Sequence, residues 1–298
     1  VLESIPDELR RQLEEGMALV RESSRTFAQQ YRSDHQRFQE IHDTYKSSVY
    51  LIVTQVELLD AEGRVVDTKT SSGTGFIVTA DGHMVTNKHV VEPWKFGEFA
   101  ARMAAEGLRL GTTEVFAWPT GASVLGASRG TLLSATAFST RHGTLTPFRS
   151  AIDRWELQRF QGFGEQQVHV GNDNSDISIL KLSGSVFRPL PIWEADPRAT
   201  WRPQALDPVI AVGFPQGTQL FDSTRADTAP AFGNIRSIDD RILISAPIIK
   251  GNSGGPVFAI DRSTDQPGVI GIATRVVSGT ETLGICIQIR YAMDLINR

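Results

Sequence analysis

Gly251-Asn252-Ser253-Gly254-Gly255-Pro256 sets one serine among glycines, with strand-like runs before it at 242–249 and after it at 257–260. Glycine admits φ > 0 and lets the backbone come close to a ligand with no Cβ in the way. A nucleophilic serine needs such surroundings if neighbouring N–H groups are to point at a developing oxyanion. Taken alone, the same six residues also read as a glycine-rich hairpin loop whose serine caps something locally. Partners elsewhere in the chain decide between the two.

A serine hydroxyl is a weak nucleophile until a histidine takes its proton, and that histidine works best when a carboxylate fixes its tautomer. Two upstream blocks supply both groups. Thr86-Asn87-Lys88-His89-Val90-Val91 follows a strand-like run at 73–79 and an Asp81-Gly82 turn. Asp173-Asn174-Ser175-Asp176 leads into an alternating strand at 177–181. Each block puts its polar residue at the edge of an apolar strand, where a side chain can reach into a cleft.

In the order His, Asp, Ser, the three blocks resemble the catalytic motifs of trypsin-like (chymotrypsin-fold) serine proteases, closest to the bacterial HtrA-type branch. That chain order differs from the orders of subtilisin and of α/β-hydrolases. The resemblance implies a mainly β protein of two six-stranded antiparallel β-barrels with the active site in the cleft between them. It implies a serine endopeptidase working through an acyl-enzyme, with His89, Asp176 and Ser253 as the catalytic residues. The backbone N–H groups of Gly251 and Ser253 are the expected oxyanion hole, and no metal or organic cofactor is called for. In the family the aspartate directly precedes a strand, which selects Asp176; Asp173 reads as a turn residue.

The family also places a specificity pocket six residues before the serine. Here that position is Pro247, with Ile248 and Ile249 next, so no acid is present to pair with a substrate Lys or Arg. The expectation is an apolar pocket for small or medium side chains. Ala273, Thr274 and Arg275 are expected to form the wall strand that pairs with substrate backbone. Asn252 stands where trypsin-type zymogens carry the aspartate that captures a new N-terminus, so control by loop ordering fits better than that ion pair. The alternative to an active enzyme is a latent protease-fold binding module acting through an inserted segment and an N-terminal helix.

The bulk of the chain bounds the remaining classes. Its 298 residues suffice for a two-lobed core. Charged residues make up 21%, with 30 Lys and Arg against 34 Asp and Glu and a net charge of −4. That balance points to no nucleic acid and no anionic membrane, leaving a protein or peptide substrate as the expected partner. The single cysteine, Cys286, lies in an apolar run at 284–289 and reads as a small core residue rather than a metal ligand or nucleophile. No run of 18 apolar residues spans a membrane. The chain begins at Val1 without a methionine, so a removed leader stays open, and cytoplasmic and periplasmic locations both fit.

Two domains are expected. Residues 1–46 carry apolar positions at steps of mostly three and four (Leu9, Leu13, Met17, Val20, Phe27, Tyr31), the period of an amphipathic helix. It is entered near Pro6-Asp7-Glu8, with proline and acids where a first turn favours them. About 40 residues at 1.5 Å each span roughly 60 Å, so the helix either breaks or extends past its own domain. A docked helix or helix pair, a self-association element and disorder are the alternatives. Residues 47–298 form the protease domain, with the first barrel at about 47–190 and the second at about 205–290. Asp176 follows His89 by 87 residues, a separation wide enough to hold an ordered insertion at about 92–165. Its expected parts are a helix at 93–107, strand-like pieces at 113–118 and 131–138, and a mixed stretch with Trp155, Phe160 and Phe163. A lid, a regulatory element and a partner-binding surface are all open for it. His142 reads as a solvated loop residue and His169 as one face of a strand.

Overall fold

The computed structural model describes residues 7–123, 145–151, 155–169, 176–184, 186–193, 201–215, 225–277 and 283–298. His142, Asp173 and the strand-like piece at 131–138 lie outside these. The chain divides into two compact units, Val1–Ile41 and His42–Arg298. The first unit is almost entirely helix α1, which runs unbroken over Asp7–Tyr45 (39 residues). Leu9, Leu13, Met17, Val20, Phe27 and Tyr31 of its apolar seam are all exposed.

The second unit is built on antiparallel sheets. Strands β1 (Val49–Leu59), β2 (Val65–Ile77) and β3 (His83–Thr86) lead to the one-turn helix α2 (Lys88–Val91). Helix α3 (Gly97–Glu106) and strands β4 (Arg109–Pro119), β5 (Ala122–Ser123), β6 (Leu145–Ser150), β7 (Trp155–Phe160), β8 (Gly164–His169) and β9 (Ser178–Leu182) follow. Next come β10 (Pro208–Gly213), β11 (Arg225–Ala226), β12 (Ala229–Ile238), β13 (Arg241–Ile244), β14 (Pro256–Asp261), β15 (Gln266–Val276), β16 (Gly284–Gln288) and helix α4 (Ile289–Asn297).

The expected pair of six-stranded sheets is present. The first is a half-barrel in the order β4-β1-β2-β3-β9-β6. The second is a closed barrel in the order β10-β12-β13-β16-β15-β14. Closure leaves the second barrel no free edge and surrounds one apolar core that includes Val209, Ile235, Ile242, Ile244, Val257 and Cys286. Cys286 is free and fully buried, and burial alone pushes its thiol far above the ordinary range. The half-barrel encloses Tyr50, Ile52, Ile77, Met84, Leu180 and Leu182.

The stretch expected to be inserted does more than decorate the first sheet. It contributes β4, paired along β1, and β6, paired with β9. Standing apart from that sheet are α3 and the β7–β8 hairpin, which pack on one another. His169 ends β8 opposite Trp155, as its strand context predicts. A glycine ends α3: Gly107 takes φ +62° and donates its N–H to the Met103 carbonyl.

Candidate active site

Strand β3 delivers the chain to Asn87, whose extended backbone caps α2, and the single turn after it carries His89. Asp176 sits two residues before β9 and is 1% exposed. The two meet through a double contact. The backbone N–H of His89 donates to Asp176 Oδ1 at 2.9 Å, and Nδ1 approaches Oδ2 at 2.7 Å. A carboxylate only accepts, so the proton of the neutral imidazole resides on Nδ1 and Nε2 presents its lone pair. The Asn87 amide ties the arrangement from behind, donating to the Asp176 carbonyl at 2.8 Å and to Thr274 Oγ1 at 3.3 Å.

Burial of the imidazole works to lower its pKa, but the charge of Asp176 and the hydrogen bond it accepts together outweigh that. The pKa of His89 is therefore raised above the ordinary histidine value. The Phe96 ring stands edge-on to the imidazole with centroids 5.8 Å apart.

Ser253 arrives from the opposite lobe, in the turn that precedes β14. Its Oγ donates to the Thr274 carbonyl on β15 at 2.9 Å. The loop around it is held by backbone contacts on every side. Gly254 N–H donates to the Ala273 carbonyl (2.7 Å), Gly255 N–H to the Asn252 carbonyl (2.9 Å) and Thr74 N–H to the Ser253 carbonyl (2.7 Å). The glycines are required by space. A Cβ on Gly254, whose φ is +87°, would lie 2.1 Å from the Thr74 carbonyl oxygen, and one on Gly255 would lie 2.3 Å from the Val212 carbonyl oxygen.

Just before the serine, Asn252 N–H donates to the Ile249 carbonyl at 3.0 Å, closing a four-residue turn. Gly251 takes φ +98°, whereas the φ of Lys250 is not positive. That combination defines a type II turn, which needs glycine at its third position.

A cavity of about 650 Å³ joins the two lobes here. His89, Asp176 and Ser253 line it together with Ile248, Ile249, Thr274 and Arg275. Pro247 is exposed and Ala273 sits in the barrel core, and neither lines the cavity. The expected specificity residues are thus split, four in the cleft and two outside it. Phe96, Phe99 and Gln158, from the segment around α3 and from β7, form a wall that sequence reading did not assign to the cleft. Asn87 and Thr74 were also missed. Their signals were present, as a polar side chain two residues before the histidine and a hydroxyl between Gly73 and Gly75.

Two β-sheet lobes that bring an Asp–His pair and a glycine-bedded serine into one cleft define the class of serine proteases. The trypsin-like peptidase domain matches residues 73–272, and the chain belongs to that family. Among solved structures, the chain is similar to a serine endoprotease from Yersinia pestis, with 18% identity and a TM-score of 0.47. The match covers 87% of this chain and 65% of that one, so the chain spans about two thirds of that relative's length. Deg5 gives 18% identity and a TM-score of 0.46 over 88% of this chain and 92% of that one. The active form of the Rv3671c protease from M. tuberculosis gives 17% and 0.43 over 86% and 82%. No curated protein matches the sequence.

Proposed function

We propose that the chain is a serine endopeptidase of the HtrA type that cleaves peptide bonds through an acyl-enzyme, with Ser253 as nucleophile, His89 as general base and then general acid, and Asp176 as its orienting carboxylate. The observation that carries this reading is the double contact of Asp176 with His89, at 2.9 and 2.7 Å, in the cavity that Ser253 also lines. Asp176 holds the imidazole with Nε2 free to take the serine proton and stabilises the imidazolium that forms. The N–H groups of Gly251 and Ser253 receive the negative oxygen of the tetrahedral intermediate, and the positive φ of Gly251 supports its part in this.

The hydrogen bond of Ser253 to the Thr274 carbonyl also favours a second reading. A hydroxyl committed to a carbonyl has not given its proton to histidine, as a latent or purely binding member of the family would have it. In the active reading this is the resting position, and the hydroxyl turns to His89 when substrate enters.

For the side chain that precedes the cleaved bond, Ile248 and Ile249 support an apolar, small to medium preference. Asp176 is the only carboxylate lining the cavity among the described residues, and it is committed to His89. A peptide library cleaved chiefly after Lys or Arg would refute that preference. The exposed seam of α1 supports self-association, and gel filtration of the full chain beside residues 47–298 tests it. An unchanged mass per particle rules it out.

The decisive experiment is intact-mass analysis after incubation with a fluorophosphonate probe, on the wild type and on Ser253→Ala and His89→Ala. Addition to the wild type alone is the expected result. Loss of either residue should lower turnover by about 10⁴ to 10⁶. No addition to a folded wild type would leave the latent reading standing instead.

A further inference from the structure

Thr74 lies in the last third of β2 and is fully buried. It touches the nucleophile loop at more points than any catalytic assignment requires. Its N–H holds the Ser253 carbonyl at 2.7 Å. Its hydroxyl donates to the Gly251 carbonyl at 2.7 Å and accepts the Phe214 N–H at 3.1 Å. Its own carbonyl accepts the Thr86 hydroxyl at 2.7 Å, just ahead of the turn that carries His89.

A threonine hydroxyl has one proton to give. Since the Phe214 N–H occupies a lone pair, that proton is left for the Gly251 oxygen. The Gly251–Asn252 peptide plane is therefore gripped at both ends, its carbonyl by Thr74 and its N–H by the Ile249 carbonyl. With this plane fixed, the φ of Gly251 decides which way the preceding Lys250–Gly251 peptide faces. At +98° the turn is type II; a type I turn needs negative φ there and points the Gly251 N–H to the opposite side.

We propose that Thr74 is a positioning residue for catalysis, its side-chain hydroxyl locking the turn at Ile249–Asn252 in the form that presents the Gly251 N–H to the substrate oxyanion. This inference rests on the catalytic reading above and adds to it a residue in the opposite lobe. Serine, which keeps the hydroxyl, can perform the task. Valine, which has the same shape and no hydroxyl, cannot. It leaves the buried Gly251 carbonyl and Phe214 N–H without their partner, and the turn is free to change type.

The test compares Thr74→Val and Thr74→Ser in the full chain, with p-nitrophenyl butyrate as a small ester that makes few demands on the specificity pocket. Thr74→Val is expected to lose about 10- to 100-fold in kcat, with KM within about threefold, because an oxyanion donor acts on the transition state alone. Thr74→Ser is expected to stay within about threefold of wild type in both constants. A valine variant that keeps kcat, that loses only through KM, or that loses no more than the serine variant overturns the proposal. Where Thr74→Val does not fold by circular dichroism, Thr74→Cys is read by the same criteria, its thiol being a much weaker donor. Ser253→Ala runs beside them. If it hydrolyses the ester as fast as the wild type, or if the wild type neither turns the ester over nor takes up fluorophosphonate, the catalytic reading itself has failed. If only the Thr74 comparison fails, the catalytic reading stands.

Discussion

The two halves of the candidate active-site cleft are held by different physics. On the half-barrel side, side chains do the holding: a carboxylate 1% exposed binds both the backbone and the ring of His89, and an asparagine amide braces it. On the closed-barrel side, apart from the Thr74 hydroxyl on the Gly251 carbonyl, the backbone does it. Ser253 stands on a loop whose successive peptide groups bond to β2 and β15 and whose glycines leave no room for a Cβ. The difference teaches what each half tolerates. Side-chain electrostatics can be removed without moving the chain, so damage on the histidine side shows in rate. A backbone bed cannot take a single added carbon, so damage on the serine side shows first in stability.

Asp176→Asn makes the largest break on the histidine side. The amide can still meet the backbone N–H of His89, but it stabilises no imidazolium and can favour the wrong tautomer. A fall in kcat of about 10⁴, with a thermal midpoint little changed, is the expected outcome. A variant that instead unfolds would show that the carboxylate holds the lobe together, and the division between the halves would lose its sense.

Gly254→Ala makes the matching break on the serine side. The new methyl meets the Thr74 carbonyl oxygen at 2.1 Å and the Thr86 hydroxyl at 2.5 Å, in a backbone conformation with φ +87°. Strain of the left-handed region and overpacking together are expected to cost on the order of 3–5 kcal/mol in denaturant unfolding. Gly16→Ala is the control. Gly16 lies inside α1 with nothing within 4 Å of where a methyl would stand, so alanine there should stabilise by about 0.5–1 kcal/mol. Equal effects at the two positions would refute the backbone-bed argument.

These two kinds of support also decided what could be read from the sequence. His89 and Ser253 stood out as polar groups at the edges of apolar strand pattern, the serine among glycines, whereas the choice of Asp176 over Asp173 came from the resemblance to the family. Helix α1 stood out because its apolar spacing has a helical period. The grip of Thr74 on Gly251 did not, since it joins residues 177 positions apart and leaves no periodic trace. Nor did the membership of β6 in the first sheet, which depends on pairing with β9 across intervening chain. Phe96 and Phe99 lie within the expected helix at 93–107, where nothing in residue order marks them as cleft residues. Only the fold turns them to the cleft. The resting direction of the Ser253 hydroxyl is a rotamer choice, on which residue order is silent.

The smallest effect expected, and the sharpest on the histidine side, is in the pH profile. In the proposed mechanism His89 acts as a base only when neutral, so kcat/KM should fall about tenfold per pH unit below its pKa. Burial lowers that pKa while the charge and hydrogen bond of Asp176 raise it more, so the acid limb of the wild type should break above 6.5. The same sign governs stability. A histidine whose pKa is raised by folding contributes stability below about pH 6.5, and that contribution is lost as pH rises through the folded-state value. In Asp176→Asn the raising contributions vanish while burial persists, so the break should move below 6.5. Titration of the His89 ring protons by NMR, in Ser253→Ala with and without Asp176→Asn, reads this directly and does not depend on residual activity. An unchanged midpoint would mean that Asp176 positions the ring without tuning its charge, and the electrostatic half of the comparison would give way.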